Sequence, residues 1–401
     1  NIQISLFINS LNNLFYLQRI INKITASCSS LILLIVINKV YQGKIITLIS
    51  SFNLSRLGLF YKFYNSIRFI SGLSLNLASS AEMPFYKNNS DSTANINILR
   101  TQIGPYLAGL IEGDGTIAVS KSNNKYNPKI IVVFKKADLP LAKFLQNLTQ
   151  CGQVLIKPER GYNLWQIQDI VSIFTIINII NGYMRTPKIE ALNRAITWVN
   201  DYIDNTNSTN KYKLLSSTKF ILSKINKLEI KPLDESPIES NSWLTGFTDA
   251  DGNFSINIHK RTNKNSTRVQ LYYRLEVNQN YHKADLDSLK VSFFPIMSKI
   301  GLFLGVTVYS RSRLIKDKIY HSFTVISNNK ESNYKVCNYF DNYPLLSSNY
   351  LDYKDWAYIL ELQILNKLTA SYLDIAIKTR TNFNKTRKTF SWDHLPKKHN
   401  D

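Results

Sequence analysis

The chain has 401 residues, room for two domains with separate cores, since a domain commonly takes roughly 100–200 residues. Lys and Arg number 49 against 28 Asp and Glu, and this +21 balance at 44% hydrophobic content excludes a disordered chain and makes a polyanion the natural partner. Three scattered cysteines, Cys28, Cys151 and Cys337, form neither a disulfide framework nor a CxxC cluster, and no histidine pair sits at helical ligand spacing with a carboxylate, which argues against zinc hydrolysis.

The chain begins at Asn1 rather than Met, so a processed product, a fragment or the downstream part of a longer reading frame is expected. Asn, Ile, Lys, Tyr and Leu are abundant while Gly and Pro are sparse, a bias that A- and T-rich codons produce and that points to an organellar genome. Residues 1–100 carry no chemical motif and read as an N-terminal extension. Their apolar run Leu31 to Ile37 is followed closely by Lys39 and Lys44 and is far shorter than the roughly 20 residues of a membrane span, so no membrane helix is expected.

From Thr101 a pattern appears that returns after a polar stretch. The first copy reads PYLAGLIEGDGTIAVS from Pro105 to Ser120, and the second reads NSWLTGFTDADGNFSIN from Asn241 to Asn257. Each is followed by a strand-like pair and a related helix start, KADLPLAKFL at Lys136 and HKADLDSLK at His282, then by GQVLI at Gly152 and GVTVYS at Gly305. The predicted divisions are a first domain at 101–200, a linker rich in Asn, Ser, Thr and Lys at 201–241, a second domain at 242–366, and a basic tail at 367–401. The tail reads as a solvated terminus that adds salt-sensitive phosphate attraction.

Each motif is an apolar segment of about two helical turns that ends in an acidic, glycine-containing sequence. Gly109 and Gly113 are four apart, as are Gly246 and Ala250, so each helix offers a strip without bulky side chains along which two backbones can approach closely. Packed side by side, the helices would converge at Asp114 and Asp251, just before Gly115 and Gly252, which suit a left-handed helix exit. A carboxylate there faces the negative end of the helix dipole, a small penalty that bound cations would offset. Mg2+ accepts one or two carboxylates and takes its remaining ligands from water and phosphate. A calcium-loop reading of DADG fails, because the position that needs Glu is Lys260.

The strand after the second motif places Asn253, Ser255, Asn257, His259 and Arg261 on one face, and the next alternates Gln270, Tyr272, Arg274, Glu276 and Asn278 with apolar residues. One such strand reads as an ordinary solvent-facing sheet. Two in succession, rich in groups that bond base edges and phosphates, favour DNA. Asn257, His259, Arg261, Gln270, Tyr272 and Arg274 are therefore candidate contacts, with Arg311, Arg313, Ser120 and Lys135 beside them. KIIVVFKK from Lys129 alternates less cleanly.

LAGLIEGDG at Leu107–Gly115 and LTGFTDADG at Leu244–Gly252 resemble the two signatures of the single-chain LAGLIDADG homing endonucleases, over about residues 101–366 and with a spacing of 137 from Asp114 to Asp251. The resemblance implies an α+β fold of two pseudo-symmetric αββαββα domains, motif helices at their interface, and curved antiparallel sheets forming a saddle on the DNA major groove. It implies that Asp114 and Asp251 bind Mg2+ or Mn2+ and carry the chemistry, helped by the carbonyls of Gly113 and Ala250. It also implies a monomer that cuts both strands of a long duplex site, encoded by a mobile intron, often in a fungal mitochondrion. The alternative is an RNA maturase that assists splicing of its own intron, with or without DNA cleavage. Members often place Lys or Gln near the metals at the end of a late strand; the rough counterparts here are Gln168 and, since Ser327 departs from that pattern, the nearby Lys330.

Overall fold

The computed structural model describes residues 35–37, 46–48, 92–120, 126–208, 226–260, 267–281, 291–365 and 370–396. Arg261 and the helix start expected at 282–290 lie outside the described residues, as does most of the expected N-terminal extension. The chain divides into two units, 1–85 and 86–401. In the first, β1 (Ile35–Ile37) and β2 (Ile46–Leu48) pair antiparallel with Ile35 opposite Leu48. No helix among the described residues is long and apolar enough to cross a membrane.

The second unit holds two copies of one αββαββα pattern. The first copy runs α1 (Ser92–Asp114), β3 (Gly115–Ala118), β4 (Lys129–Lys135), α2 (Leu139–Thr149), β5 (Gln153–Lys157), β6 (Tyr162–Ile167), α3 (Ile170–Ile180) and α4 (Ile189–Ser208). The other runs α5 (Trp243–Asp251), β7 (Gly252–Lys260), β8 (Thr267–Asn278), a short antiparallel pair β9 (Asn280–Tyr281) and β10 (Val291–Ser292), α6 (Phe294–Leu304), β11 (Val308–Ile315), β12 (Lys318–Ser327), α7 (Lys330–Asn342) and α8 (Asn349–Ile364). The sheets have matching antiparallel orders, β3-β4-β6-β5 and β7-β8-β12-β11. The same local chemistry recurs in both copies: Asp169 accepts from Ser172 N at the start of α3, and Asn329 accepts from Ser332 N at the start of α7.

Burial follows the expected period of two in β8, where Leu271, Tyr273, Leu275 and Val277 turn inward and Gln270, Tyr272, Arg274 and Glu276 are half-buried on the other face. Strand β4 alternates just as regularly despite its continuous apolar run. Ile130, Val132 and Phe134 are buried, while Val133, on the opposite face, is 41% exposed. An uninterrupted apolar string hides the period because Ile131 and Val133 occupy outward positions without being polar.

Helices α1 and α5 make the most extensive contact between any two elements. A methyl group on Gly109 would lie 2.1 Å from the Trp243 carbonyl oxygen, and one on Gly246 would lie 1.9 Å from the Tyr106 carbonyl oxygen, so neither position has room for any side chain. Gly113 meets Ala250 in the same way, with 2.2 Å between the added methyl and the Ala250 Cβ. The small-residue strips expected from the sequence therefore face each other across a pseudo-twofold axis.

Two details differ from expectation. Helix α1 begins at Ser92, well before its apolar segment, and carries Pro105 inside it. Gly115 and Gly252 do not leave their helices in the left-handed region: Gly252 has φ −81° and ψ 155°, and Gly115 has no positive φ. Glycine is required there by crowding instead, since an added Cβ would fall 2.6 Å from the Ile111 Cα and 2.4 Å from the Thr248 Cγ2.

Helix α4 extends into the expected linker, and residues 226–240 lie against the first copy. Asn200 exchanges two hydrogen bonds with the Leu228 backbone, Asn181 Nδ2 donates to the Glu229 carbonyl, and Arg185 pairs with Asp234 at 2.7 Å. The tail expected as a solvated terminus instead forms α9 (Ala370–Thr381) and docks. Arg387 pairs with Asp352 and Asp355, and Asn384 Nδ2 donates to the Phe254 carbonyl at 2.7 Å. Its basic residues are partly used inside the protein.

Replacing Gly109 or Gly246 with Ala is expected to lower unfolding free energy by about 1–3 kcal/mol or more, because the added methyl must push backbone rather than a flexible side chain. Urea denaturation of each variant beside the parent chain tests this; an unchanged midpoint for both would contradict the close approach.

Candidate active site and nucleic-acid interface

The backbone contact at Gly109 and Gly246 brings together the ends of α1 and α5, where Asp114 and Asp251 are the last helical residues. Both carboxylates are reachable by solvent, yet protein surrounds most of each group. That crowding, with repulsion from Asp251, raises Asp114 from 3.8 to about 7, and Lys135 and Lys188 oppose the rise. Crowding likewise raises Asp251 to about 6, opposed by Lys188. Two carboxylates that resist ionising side by side form a site that gains from a cation.

A second pair of acids, in the same two motifs, is fully buried. Glu112 accepts hydrogen bonds from Arg185 N, Thr186 N, Thr186 Oγ1 and, across the helix interface, Trp243 Nε1 at 2.6 Å. Asp249 accepts from Leu346 N, Ser347 N, Ser347 Oγ and, from the opposite helix, Tyr106 Oη at 2.9 Å. Each motif helix thus donates one ring group to the other's buried acid. Burial raises both acids, Asp249 to about 6, and these donors oppose the rise. Sequence reasoning passed over Glu112 and Asp249, although their matching places in the doubled motif were a legible signal.

Lys188 Nζ caps the end of α1, donating to the Gly113 carbonyl at 2.9 Å and the Gly115 carbonyl at 3.0 Å. Burial lowers its pKa while Asp251, Glu112 and Asp114 support its charge. Lys135, expected as a DNA contact, ends β4 near Asp114 and donates to Asn349 Oδ1 at 2.9 Å. A cleft of about 560 Å³ opens beside these groups, lined among others by Gly113, Lys188, Asp251, Glu276, Asn278 and Ser322.

Gln168 and Lys330, expected to support the acids, are not among the charged or hydrogen-bonding groups that act on Asp114 and Asp251, and their contacts are with other residues. Gln168 Oε1 accepts from Gln166 Nε2 and its carbonyl accepts from Asn127, while Lys330 Nζ reaches the Gln363 carbonyl at 3.4 Å. The lysines beside the acids are Lys188, which precedes α4, and Lys135.

Of the expected DNA-facing residues, Asn257 stands opposite Gln270, and Tyr272 Oη donates to Gln270 Oε1 at 3.0 Å. Arg274 lies on the same half-buried face, His259 is exposed at the end of β7, and Ser120 is half-buried after β3. Arg311 and Arg313 project from β11 and share one partner, Glu276, whose carboxylate also accepts from Ser322 Oγ. Glu276 was read only as one outward position in the alternation.

For a divalent cation, the chemistry available is two carboxylates with carbonyl oxygens nearby, an all-oxygen set that suits Mg2+. Among the described residues no three His, Cys, Asp or Glu gather as a metal-ligand group, so water and phosphate would complete the coordination. The Gly113 carbonyl already accepts from Lys188, and a carbonyl's second lone pair leaves it able to share.

The profile of the LAGLIDADG endonuclease family matches residues 107–199 and again 244–360. The chain is 44% identical over 318 residues to "Intron-encoded DNA endonuclease aI3" of Saccharomyces cerevisiae, covering 75% of this chain and 74% of that protein. It is 31% identical over 276 residues to "Uncharacterized cox1 intron-2 37.2 kDa protein" of Schizosaccharomyces pombe, covering 68% and 70%. Among solved structures, that of the LAGLIDADG homing endonuclease I-GzeII in complex with its DNA target matches 71% of this chain and 99% of its own, at 18% identity and a TM-score of 0.48. These comparisons lend no specific support to the splicing alternative. By the doubled match and the extent of the yeast relationship, this chain belongs to the LAGLIDADG endonuclease family.

Proposed function

We propose that this chain is a site-specific DNA endonuclease that uses a divalent cation, Mg2+ or Mn2+, to cut both strands of one long duplex site as a single chain. The observation that carries the reading is the meeting of Asp114 and Asp251 at the converged ends of α1 and α5, where each carboxyl is raised toward neutrality. The similarity to a yeast protein named as an intron-encoded DNA endonuclease supports the same activity here. An A/T-biased composition and the relative named for a cox1 intron support a mitochondrial intron as origin and the mitochondrion as workplace.

In this reading Asp114 and Asp251 hold the cation, with the carbonyls of Gly113 and Ala250 as supplementary oxygens. When bound, the cation supplies activation of the attacking water and stabilisation of the leaving oxygen. The protein's own groups do the rest. The outward faces of the two sheets bear on the duplex, with the polar row of β7 and β8 on base edges and the chain's excess of positive charge on phosphates. Glu112 and Asp249 hold the helix ends at fixed spacing through Trp243 and Tyr106. Lys135 and Lys188 stand ready for the negative charge of the scissile phosphates.

Asp114→Asn and Asp251→Asn are each expected to abolish double-strand cleavage while leaving DNA affinity within about tenfold, a change of about 1.4 kcal/mol. The assay incubates the purified chain with Mg2+ and the intron-free exon junction of its own host gene. A variant pair that still cuts at the parent rate would sink the mechanism.

Cleavage should also fall as pH drops through the interval from about 7 to about 6, because Asp114 and Asp251 take up protons there. Since cation and proton compete for the same oxygens, raising Mg2+ should move the midpoint to lower pH. A rate profile whose midpoint ignores the Mg2+ concentration would contradict the assignment.

A further inference from the structure

In each copy, a segment that follows the closing helix folds back over the loop that holds the buried motif acid. After α4, residues 226–240 reach the loop that supplies Glu112. There Asp234 N donates to the Met184 carbonyl at 2.8 Å, and Asn181 and Arg185 donate to the Glu229 and Ser236 carbonyls at 2.7 Å. After α8 and α9, residues 383–395 reach the loop that supplies Asp249, where His394 Nε2 donates to the Leu346 carbonyl at 3.2 Å. A carbonyl oxygen only accepts, so the imidazole proton lies on Nε2.

These contacts fall on peptide groups whose other edge carries the acid. A peptide is planar, so the Met184 carbonyl turns with the Arg185 N–H, which donates to Glu112 at 3.0 Å. The Leu346 carbonyl likewise turns with the Ser347 N–H, which donates to Asp249 at 3.2 Å. A donor on the carbonyl fixes the tilt of the plane and polarises its N–H toward the carboxyl group. The first copy uses backbone for this purpose, and the second uses a side chain of the docked tail.

Further anchors hold the tail in place. The His394 ring stacks on Tyr350 with 4.2 Å between centroids and 12° between planes, and Leu395 is buried. At the other end, Arg387 and Asp352 form a pair only 7% and 8% exposed, and the Asn384 N–H donates to the same Asp352. Asn384 Nδ2 donates to the carbonyl of Phe254, on β7 just beyond Asp251. The tail therefore holds the end of α5 from two directions, through Asp249 before Asp251 and through Phe254 after it.

We infer that the tail is a positioning strap for the Asp251 end of the site, with His394 acting through the Leu346–Ser347 peptide and Asn384 through Phe254. Cleavage depends on the strap while DNA binding does not, because its anchoring side chains turn into the protein. The inference rests on the endonuclease reading above. The strap touches no reacting atom; it decides where the Asp251 carboxylate stands. Outer groups that orient a metal-binding residue commonly change activity or metal affinity by roughly 10–100-fold.

The test uses the full chain carrying Asn384→Gly, His394→Phe, His394→Gln, or Asn384→Gly with His394→Phe. Phe keeps a ring on Tyr350 and removes the donor, and Gln restores an Nε2 donor. Gly accepts the left-handed φ of 52° at position 384 while removing the amide. On the exon-junction duplex at saturating protein, His394→Phe is expected to slow cleavage about 10-fold and the double variant about 100-fold. Both should need more Mg2+ for half-maximal rate, yet keep their DNA affinity without Mg2+, and His394→Gln should recover most of the rate. In the metal-free protein, amide hydrogen exchange at Leu346 and Ser347 should quicken about 10-fold in His394→Phe, while Arg185 and Thr186 keep the parent rate. An unchanged rate in the double variant, no recovery with Gln, or exchange that quickens equally in both loops would overturn the inference. A loss of affinity as large as the loss of rate would also overturn it, by making the tail a DNA contact. Parent protein that binds the junction and cuts neither strand would overturn the endonuclease reading and this inference together. Cutting by the parent with no variant slowed removes the inference alone.

Discussion

Everything at the centre of this protein depends on two helix backbones touching without side chains between them. The contact is reciprocal, Gly109 against the Trp243 carbonyl and Gly246 against the Tyr106 carbonyl, so the pseudo-twofold axis passes through main-chain atoms that cannot shift rotamer. Just beyond it, Trp243 donates to Glu112 and Tyr106 donates to Asp249, closing two buried hydrogen bonds between the helices. A buried acid that loses a donor is costly, which ties helix spacing to the integrity of both cores. The acids at the helix ends inherit their separation from this arrangement.

That separation sets up an electrostatic imbalance. Asp114 and Asp251 are crowded by protein and by each other, while two lysines from the first copy partly relieve them. The wider surface has a comparable arrangement on the second sheet, where Glu276 engages Arg311 and Arg313 among residues expected to meet DNA. A carboxylate amid arginines on such a face holds the guanidinium groups in place.

Much of this was legible in the residues themselves. The doubled motif, the four-residue spacing of small side chains and the alternation of β7 and β8 led to the fold, the helix interface and the two terminal acids. The docked tail was not legible, because Arg387 gains meaning only from Asp352 and Asp355, more than thirty residues earlier. Gln168 and Lys330 drew attention by their position near strand ends, while Lys188 stood unmarked in RTPKIEAL. The lysine's role depends on the end of α1, more than seventy residues away.

By itself the sequence determined the repeat, the residue types at the helix crossing and the pairing of Asp114 with Asp251, because periodicity and side-chain size act locally and repeat in register. Only the tertiary structure decided which lysines and amides stand beside those acids, that Gly115 and Gly252 are demanded by crowding rather than by a left-handed turn, and that Lys135 crosses to Asn349. These relations join distant segments across a pseudo-symmetry axis, and a linear pattern carries no measure of distance between residues brought together by folding.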